Sequence, residues 1–206
     1  MKKLSELLEY KKCAVISNSP LLLEKNYGEL IDSYDVVFRC NRTQINGYEK
    51  HIGRKTDIRV INIHLSKMII DPIECSKDSH YLQTFSKWDD KQVRNCIDDE
   101  VIILKDGNMI SESSVKDKLN NNEVYDIRKF IPYVQFTNGK SFSAGGYAIF
   151  LASKLFESVD CFCFDFFKTN ADHYFEKVNN WKGYECHDFS AEEQYLRSLE
   201  NVNFIN

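Results

Sequence analysis

Proline and glycine are scarce, 3 and 8 residues in a chain of 206. No Pro-rich, Gly/Ser-rich or repeated stretch marks a linker. Residues 1–206 therefore read as a single domain, long enough to bury a full core. Long apolar runs are also missing. The first ten residues, Met1-Lys-Lys-Leu-Ser-Glu-Leu-Leu-Glu-Tyr10, carry charges inside their only apolar pattern. That pattern is too short and too polar for a signal peptide or a membrane anchor. Leu4, Leu7 and Leu8 have helical spacing, which predicts a short helix docked on the domain; the alternative is peripheral association with a membrane surface. Nor is there an excess of basic charge. The net charge of −4 argues against general nucleic-acid binding, which wants a basic face, although Arg39, Arg42, Lys50, Arg54, Lys55 and Arg59 form a local basic cluster.

Metal-type and phosphate-type signatures are absent as well. The 7 cysteines are an odd number without zinc spacing, which needs two to four residues between ligands and a second pair elsewhere. Cys161 and Cys163 would point the same way from a strand. All are read as reduced thiols of a cytoplasmic protein, mostly core filler. Asp89-Asp90 and Asp98-Asp99-Glu100 are read as solvated acidic surface rather than as a metal-holding Asp-x-Asp. No Gly-x-x-x-x-Gly-Lys-Ser/Thr loop and no Gly-x-Gly-x-x-Gly occur.

What is present is a run of short apolar segments. Residues 12–17, 35–39, 57–63, 100–104, 159–166 and 202–205 read as strands, as does 133–136. Between them, residues 113–119 and 191–199 read as polar helices. From Ser143 onward a helix is apolar nearly all round, so it is expected to be central and buried. Short apolar strands alternating with helices predict an α/β domain: one Rossmann-like unit with a mostly parallel central sheet flanked by helices. In such sheets ligands bind outside the carboxyl ends of the strands. That places Asn18, Asn41 and the Ser143 turn on one rim.

Four blocks on or near that rim have chemical character. Cys13-Ala-Val-Ile-Ser-Asn18-Ser19-Pro20 and Phe38-Arg-Cys-Asn41 end strands with amides, which offer both donors and acceptors to a ribose, base edge or phosphate; such residues also end strands simply by capping turns. Ser143-Ala144-Gly145-Gly146 opens the apolar helix with small residues, so a ligand can approach the backbone and an anion can meet free helix amides; it also reads as an ordinary Ser cap. His173-Tyr174-Phe175-Glu176 and His187 with Glu192 bring two histidines, which exchange protons near neutral pH. Glu192 would orient His187 or stabilise the start of its own helix. His51, His64 and His80 are assigned no role.

Taken together these blocks resemble the animal-type sialyltransferases, glycosyltransferase family 29. Cys13 to Ser19, Gly28, Ile31-Asp32, Asp35, Val37, Arg39, Asn41, Gly47-Tyr-Glu49 and Gly53-Arg-Lys-Thr56 are similar to the family's long motif. Ser143-Ala144-Gly145 with Val159 and Phe164 is similar to its short motif, His173 to Glu176 to its third, and His187 to Glu192 to its very short motif. The likeness spans residues 12–193 in the family's order. There are departures. Ser17 stands for a glycine, Ala144 for a threonine, and the cysteine that pairs with the long-motif cysteine in lumenal members is replaced near Phe156. The chain is similar to what a short, soluble bacterial or viral member would be.

The resemblance implies a GT-A-like sialyltransferase variant that moves a nonulosonic acid from CMP to a glycan hydroxyl, with inversion and without metal or cofactor. His187 would be the base, and His173 with the amides at Ser143, Ala144 and Gly145 would face the leaving phosphate. Asn18, Ser19 and Asn41 would hold the rest of CMP, with Tyr174 and Glu192 in support. CMP-Kdo is an alternative donor, and a CMP-sugar sensor without chemistry is an alternative of another class. A nicotinamide enzyme of similar fold lacks its glycine fingerprint.

Overall fold

Strands that are apolar on both sides must be covered on both faces, and the chain folds accordingly. The computed structural model of the protein describes residues 2–71, 97, 99–119, 122–168, 173–177 and 183–206. Its strands are β1 (Lys12–Ile16), β2 (Val36–Cys40), β3 (Ile58–Ile61), β4 (Val101–Leu104), β5 (Glu123–Asp126), β6 (Ser158–Phe162) and β7 (Val202–Ile205). They form one sheet in the order β5-β4-β3-β2-β1-β6-β7, parallel at every pairing. The helices are α1 (Leu4–Leu7), α2 (Gly28–Asp32), α3 (Glu49–Ile52), α4 (Ile63–Ile70), α5 (Glu112–Lys116), α6 (Ala144–Leu155), α7 (Gly183–Cys186) and α8 (Phe189–Arg197). The expected α/β architecture is the one observed.

The chain steps outward from β1 to β5, then returns to set β6 on the other side of β1. Connections diverge at the β1/β6 boundary, which is where open parallel sheets bind ligands. Asn18 follows β1 at that point.

On one face lies α6, whose residues are buried at Ala144 and from Gly146 through Ala152. Its partners on the sheet include Val15, Phe38, Val60 and Ile103. Leu4 and Leu7 of α1 join the same cluster, so the amino-terminal helix is docked by these two residues, while Leu8 remains 38% exposed. The other face carries two separate apolar clusters. One gathers Ala14, Ile16, Val37 and Phe162 beneath Leu22, Ile31 and Ile52. The other gathers Ile61, Ile102 and Leu104 with Leu65 of α4 and Val115 of α5.

Between those clusters, in register on β2 and β3, stand Arg39 and Arg59, each 0% exposed. Two adjacent buried cations need acceptors, and among the described residues every guanidinium nitrogen of the pair except Arg39 Nη1 has one. Arg39 Nε donates to the Lys55 carbonyl and Thr56 Oγ1, both at 3.1 Å, and Nη2 donates to the Ile52 carbonyl at 2.6 Å. Arg59 donates to both oxygens of Glu100, from Nε at 2.6 Å and Nη2 at 2.8 Å, and from Nη1 to the Asn41 carbonyl at 2.7 Å. The local basic cluster of the sequence is thus partly interior, since Arg42 is buried as well. Glu100, expected to be solvated, is 5% exposed because it serves Arg59. Asp89, Asp90, Asp98 and His80 lie outside the described residues.

Other expectations fail for local reasons. Residues 133–136 form no strand; Gln135 makes only an isolated bridge to Ser141 around a turn at Gly139. The fifth strand is instead Glu123–Asp126, with a half-buried alternation. The third strand stops at Ile61, because the Asn62 side chain accepts from the Leu65 amide at 3.1 Å and starts α4. Cys161 and Cys163 belong to opposite faces, since the strand ends at Phe162 and Cys163 takes a left-handed φ of 55°. Among the described residues Cys13, Cys40, Cys161 and Cys163 are buried free thiols and Cys186 is exposed.

Glu100→Ala removes the countercharge of a fully buried guanidinium. We expect a loss of about 3–5 kcal/mol in urea unfolding. A loss below about 1 kcal/mol would show that the pair does not hold β3 to β4.

Candidate active site

Asn18, Asn41 and Asn62 each follow a strand, β1, β2 and β3 in turn. Asn41 has a left-handed φ of 49°, which asparagine tolerates better than most residues. That geometry lets Asn41 Oδ1 accept from the Asn62 amide at 2.9 Å. Asn18 Oδ1 accepts from Thr43 Oγ1 at 2.9 Å, and its Nδ2 donates to the Cys40 carbonyl at 3.3 Å. The three amides line one cleft together with Arg42, His64, His173, Phe175 and Glu176. Residues 173–176 reach it from beyond β6. They are closed by reciprocal backbone bonds between His173 and Glu176, and tied to β1 by the Tyr174 amide, which donates to the Asn18 carbonyl at 2.9 Å.

A second group lies at the start of α6. Ser143 caps the helix, its Oγ accepting from the Gly146 amide at 3.0 Å. Ser143 is itself held by Glu192 of α8: its amide donates to Oε2 at 2.6 Å and its Oγ to Oε1 at 2.7 Å. The glycines are explained by this packing. A Cβ on Gly146 would lie 2.5 Å from the Glu192 carboxyl carbon, and one on Gly145 would lie 3.0 Å from the Phe164 ring. Among the described residues no partner is found for the amides of Ala144 and Gly145, so the positive end of the helix keeps donors for an anion.

His187 stands beside that helix start. Its Nδ1 lies 2.9 Å from the Ser141 carbonyl. A carbonyl only accepts, so Nδ1 carries the proton and Nε2 is left as the basic atom. Burial pushes its pKa below the ordinary histidine value, the hydrogen bond to Ser141 opposes this, and Lys105 adds a further downward push. The neutral, proton-accepting form is therefore favoured. Glu192 is 2% exposed, and burial raises its pKa to about 7 against the two hydrogen bonds from Ser143.

The two groups meet at Cys40. Its carbonyl receives Asn18 Nδ2, and its Sγ donates to the Ala144 carbonyl at 3.7 Å. Of the residues singled out in the sequence, Asn18, Asn41 and His173 line the cleft, while Ser143, Ala144, Gly145, His187 and Glu192 gather at the α6 start. Ser19 sits apart, 8% exposed, capping the 3-10 turn Pro20–Glu24. Tyr174 is buried, and its hydroxyl donates to the Gln44 carbonyl. Glu192 holds Ser143 rather than His187. Sequence reasoning missed Arg42, Asn62 and His64. Asn62 repeats the pattern of an amide after a strand and was legible on that ground.

Comparison with known proteins gives a consistent picture. The model of glycosyltransferase family 29 (sialyltransferase) matches residues 2–204. The chain is 27% identical, over 93% of its length and 51% of the relative's, to the beta-1,6-galactosyltransferase GALT29A of Arabidopsis thaliana. It is 26% identical, over 96% of its length and 57% of the relative's, to the CMP-N-acetylneuraminate-beta-1,4-galactoside alpha-2,3-sialyltransferase of Homo sapiens. It thus spans about half the length of the curated relatives it matches. A mammalian sialyltransferase crystallised with Gal-beta-1-3GalNAc-ortho-nitrophenol has the same fold, with a TM-score of 0.58 at 19% identity over 98% of this chain and 71% of the other.

The Glu192 tie has a pH signature. Folding raises this carboxyl from its ordinary 4.5 to about 7, so the folded state binds the proton more tightly. Its contribution to stability is full below about 4.5 and is lost as pH rises to about 7. Thermal melting of wild type against Glu192→Gln should show the wild-type advantage shrinking across that window. A difference that stays flat from pH 4.5 to 8 would contradict the assignment.

Proposed function

The chain belongs to glycosyltransferase family 29, and from that premise we propose that it transfers sialic acid from CMP-sialic acid to a galactoside hydroxyl. One observation carries the reading. His187 is committed through Nδ1 to Ser141, which leaves Nε2 as a base, and it does so beside a helix start whose first amides are open to an anion.

The chemistry follows from that arrangement. As the bond from the sugar to CMP breaks, the anomeric carbon gains oxocarbenium character and the phosphate gains charge. The acceptor hydroxyl attacks from the opposite face and gives its proton to His187 Nε2, so one displacement inverts the centre. The Ala144 and Gly145 amides and His173 stabilise the departing phosphate, and Asn18 and Asn41 hold the nucleotide at the β1/β6 switch point. In this mechanism histidines and amides handle the charge, and a metal has no assigned step. The plant relative named as a galactosyltransferase favours a second reading, in which the donor is a nucleotide-activated galactose. Neither relative named above points to CMP-Kdo as the donor.

The test is release of the nucleotide, CMP from CMP-sialic acid with and without a β-galactoside, run beside CMP-Kdo and, for UDP release, UDP-galactose, before and after chelation. We expect acceptor-dependent release from CMP-sialic acid that survives chelation. His187→Ala should lower it about a hundred- to ten-thousandfold while CMP still binds. Wild-type turnover in that variant would remove His187 as the base. Activity lost on chelation and restored by magnesium would contradict the metal-free mechanism, and release from UDP-galactose alone would favour the second reading.

A further inference from the structure

Arg42 lies in the cleft beside His173 but has no part in the chemistry above. It is 6% exposed, a severe burial for a guanidinium, and its Nη2 donates to Glu176 Oε1 at 2.7 Å. The same carboxylate oxygen lies 3.3 Å from His173 Nδ1. The Phe175 ring stacks on the imidazole, with centroids 5.2 Å apart and planes at 27°. His173 is thus fixed on one side by Phe175 and at Nδ1 by Glu176, and Glu176 is fixed by Arg42.

We infer that Arg42 is a positioning residue, which acts through Glu176 to set the orientation and tautomer of His173. The argument is one of hydrogen-bond chemistry and rests on the reading of His173 as the group facing the leaving phosphate. An ionised carboxylate only accepts, so Glu176 takes the Nδ1–H of the ring and turns Nε2 toward the substrate; to stabilise a leaving phosphate Nε2 must carry a hydrogen as well, so the form that acts there is the imidazolium, held by Glu176 at one nitrogen and by the phosphate at the other. A carboxylate this enclosed needs a countercharge to stay in place. Arg42 supplies it from the opposite wall of the cleft, directly after Asn41 and the end of β2. The 173–176 turn cannot swing away to find another partner, because its backbone is bound to Asn18 and its Tyr174 hydroxyl to Gln44. Arg42 and Glu176 therefore join the β2 side of the cleft to the segment beyond β6, and the histidine sits at their junction.

The experiment compares wild type with Arg42→Met, Arg42→Lys, Glu176→Gln and the double variant Arg42→Met/Glu176→Gln. The first readout needs no turnover: nitrogen-15 NMR of His173 in the free protein, which distinguishes the two tautomers. Wild type and Arg42→Lys should show the Nδ1–H form, and Arg42→Met a mixture. The second readout is kcat and KM for CMP-sialic acid. Arg42→Met should lower kcat roughly 10- to 100-fold, as loss of an outer partner of a functional histidine does, with KM changed less than about threefold and with recovery in Arg42→Lys. The double variant should be no slower than Arg42→Met alone, since both act through one path.

An unchanged tautomer in Arg42→Met, a rise in KM alone, or independent multiplying losses in the double variant would each overturn the inference. If Arg42→Met fails to fold, Arg42→Lys and Glu176→Gln decide on the same criteria: Glu176→Gln must disturb the tautomer and Arg42→Lys must not. If wild type turns over no donor, the proposed function fails, and the tautomer still decides the role of Arg42.

Discussion

The carboxylate of Glu192 is the tie on which the candidate site depends. It is almost fully buried, and it takes both the amide and the hydroxyl of Ser143. Those bonds fasten α8 to the first turn of α6, across 49 residues of chain. His187 lies just before α8 and Ser141 just before α6, so the same tie brings their hydrogen bond within reach. A carboxylate at a helix N-terminus is favoured by the helix dipole; burial works against it, and the raised pKa of Glu192 measures the conflict. Ser143 also shows why the helix start is only partly open. The carboxylate occupies the Ser143 amide and leaves the donors of Ala144 and Gly145.

The sheet supplies the rest of the geometry. Because β6 returns beside β1, the loops after those two strands separate and open a crevice. The 173–176 turn binds back to Asn18, and the cleft lies beside them over the ends of β1, β2 and β3. The buried Arg39 and Arg59 stiffen the neighbouring strands, and Arg59 reaches the rim directly by donating to the Asn41 carbonyl. A charge deep in the sheet thereby fixes the backbone of a cleft residue. Core and site are connected through named hydrogen bonds, not through packing alone.

Much of this was legible in the sequence. The short apolar runs marked the inner strands, and the unbroken apolar pattern after Ser143 marked α6. Both signals are local, since they come from burial on every side. The strand Glu123–Asp126 was not legible, because it is four residues long with a carboxylate at each end. The segment 133–136 was apolar enough to mislead, but it turns back at Gly139. An amide directly after a strand pointed to the rim of the sheet, and Asn18 and Asn41 line one cleft there. Arg42 looked like surface charge because its partner, Glu176, is 134 residues away. Glu100 misled for the same reason: its partner Arg59 lies on another strand. Charged residues buried by distant partners cannot be told from solvated ones by their immediate neighbours.

The central claim is that one nucleotide spans the Asn18–Asn41–His173 cleft and the open amides at the start of α6, which Cys40 joins. Titration of nitrogen-15-labelled protein with CMP tests it directly. The account predicts the largest shifts at the Ala144 and Gly145 backbone amides and at the side-chain amides of Asn18 and Asn41, all with one dissociation constant. Shifts confined to other parts of the chain, or cleft and helix signals that titrate with different constants, would contradict it.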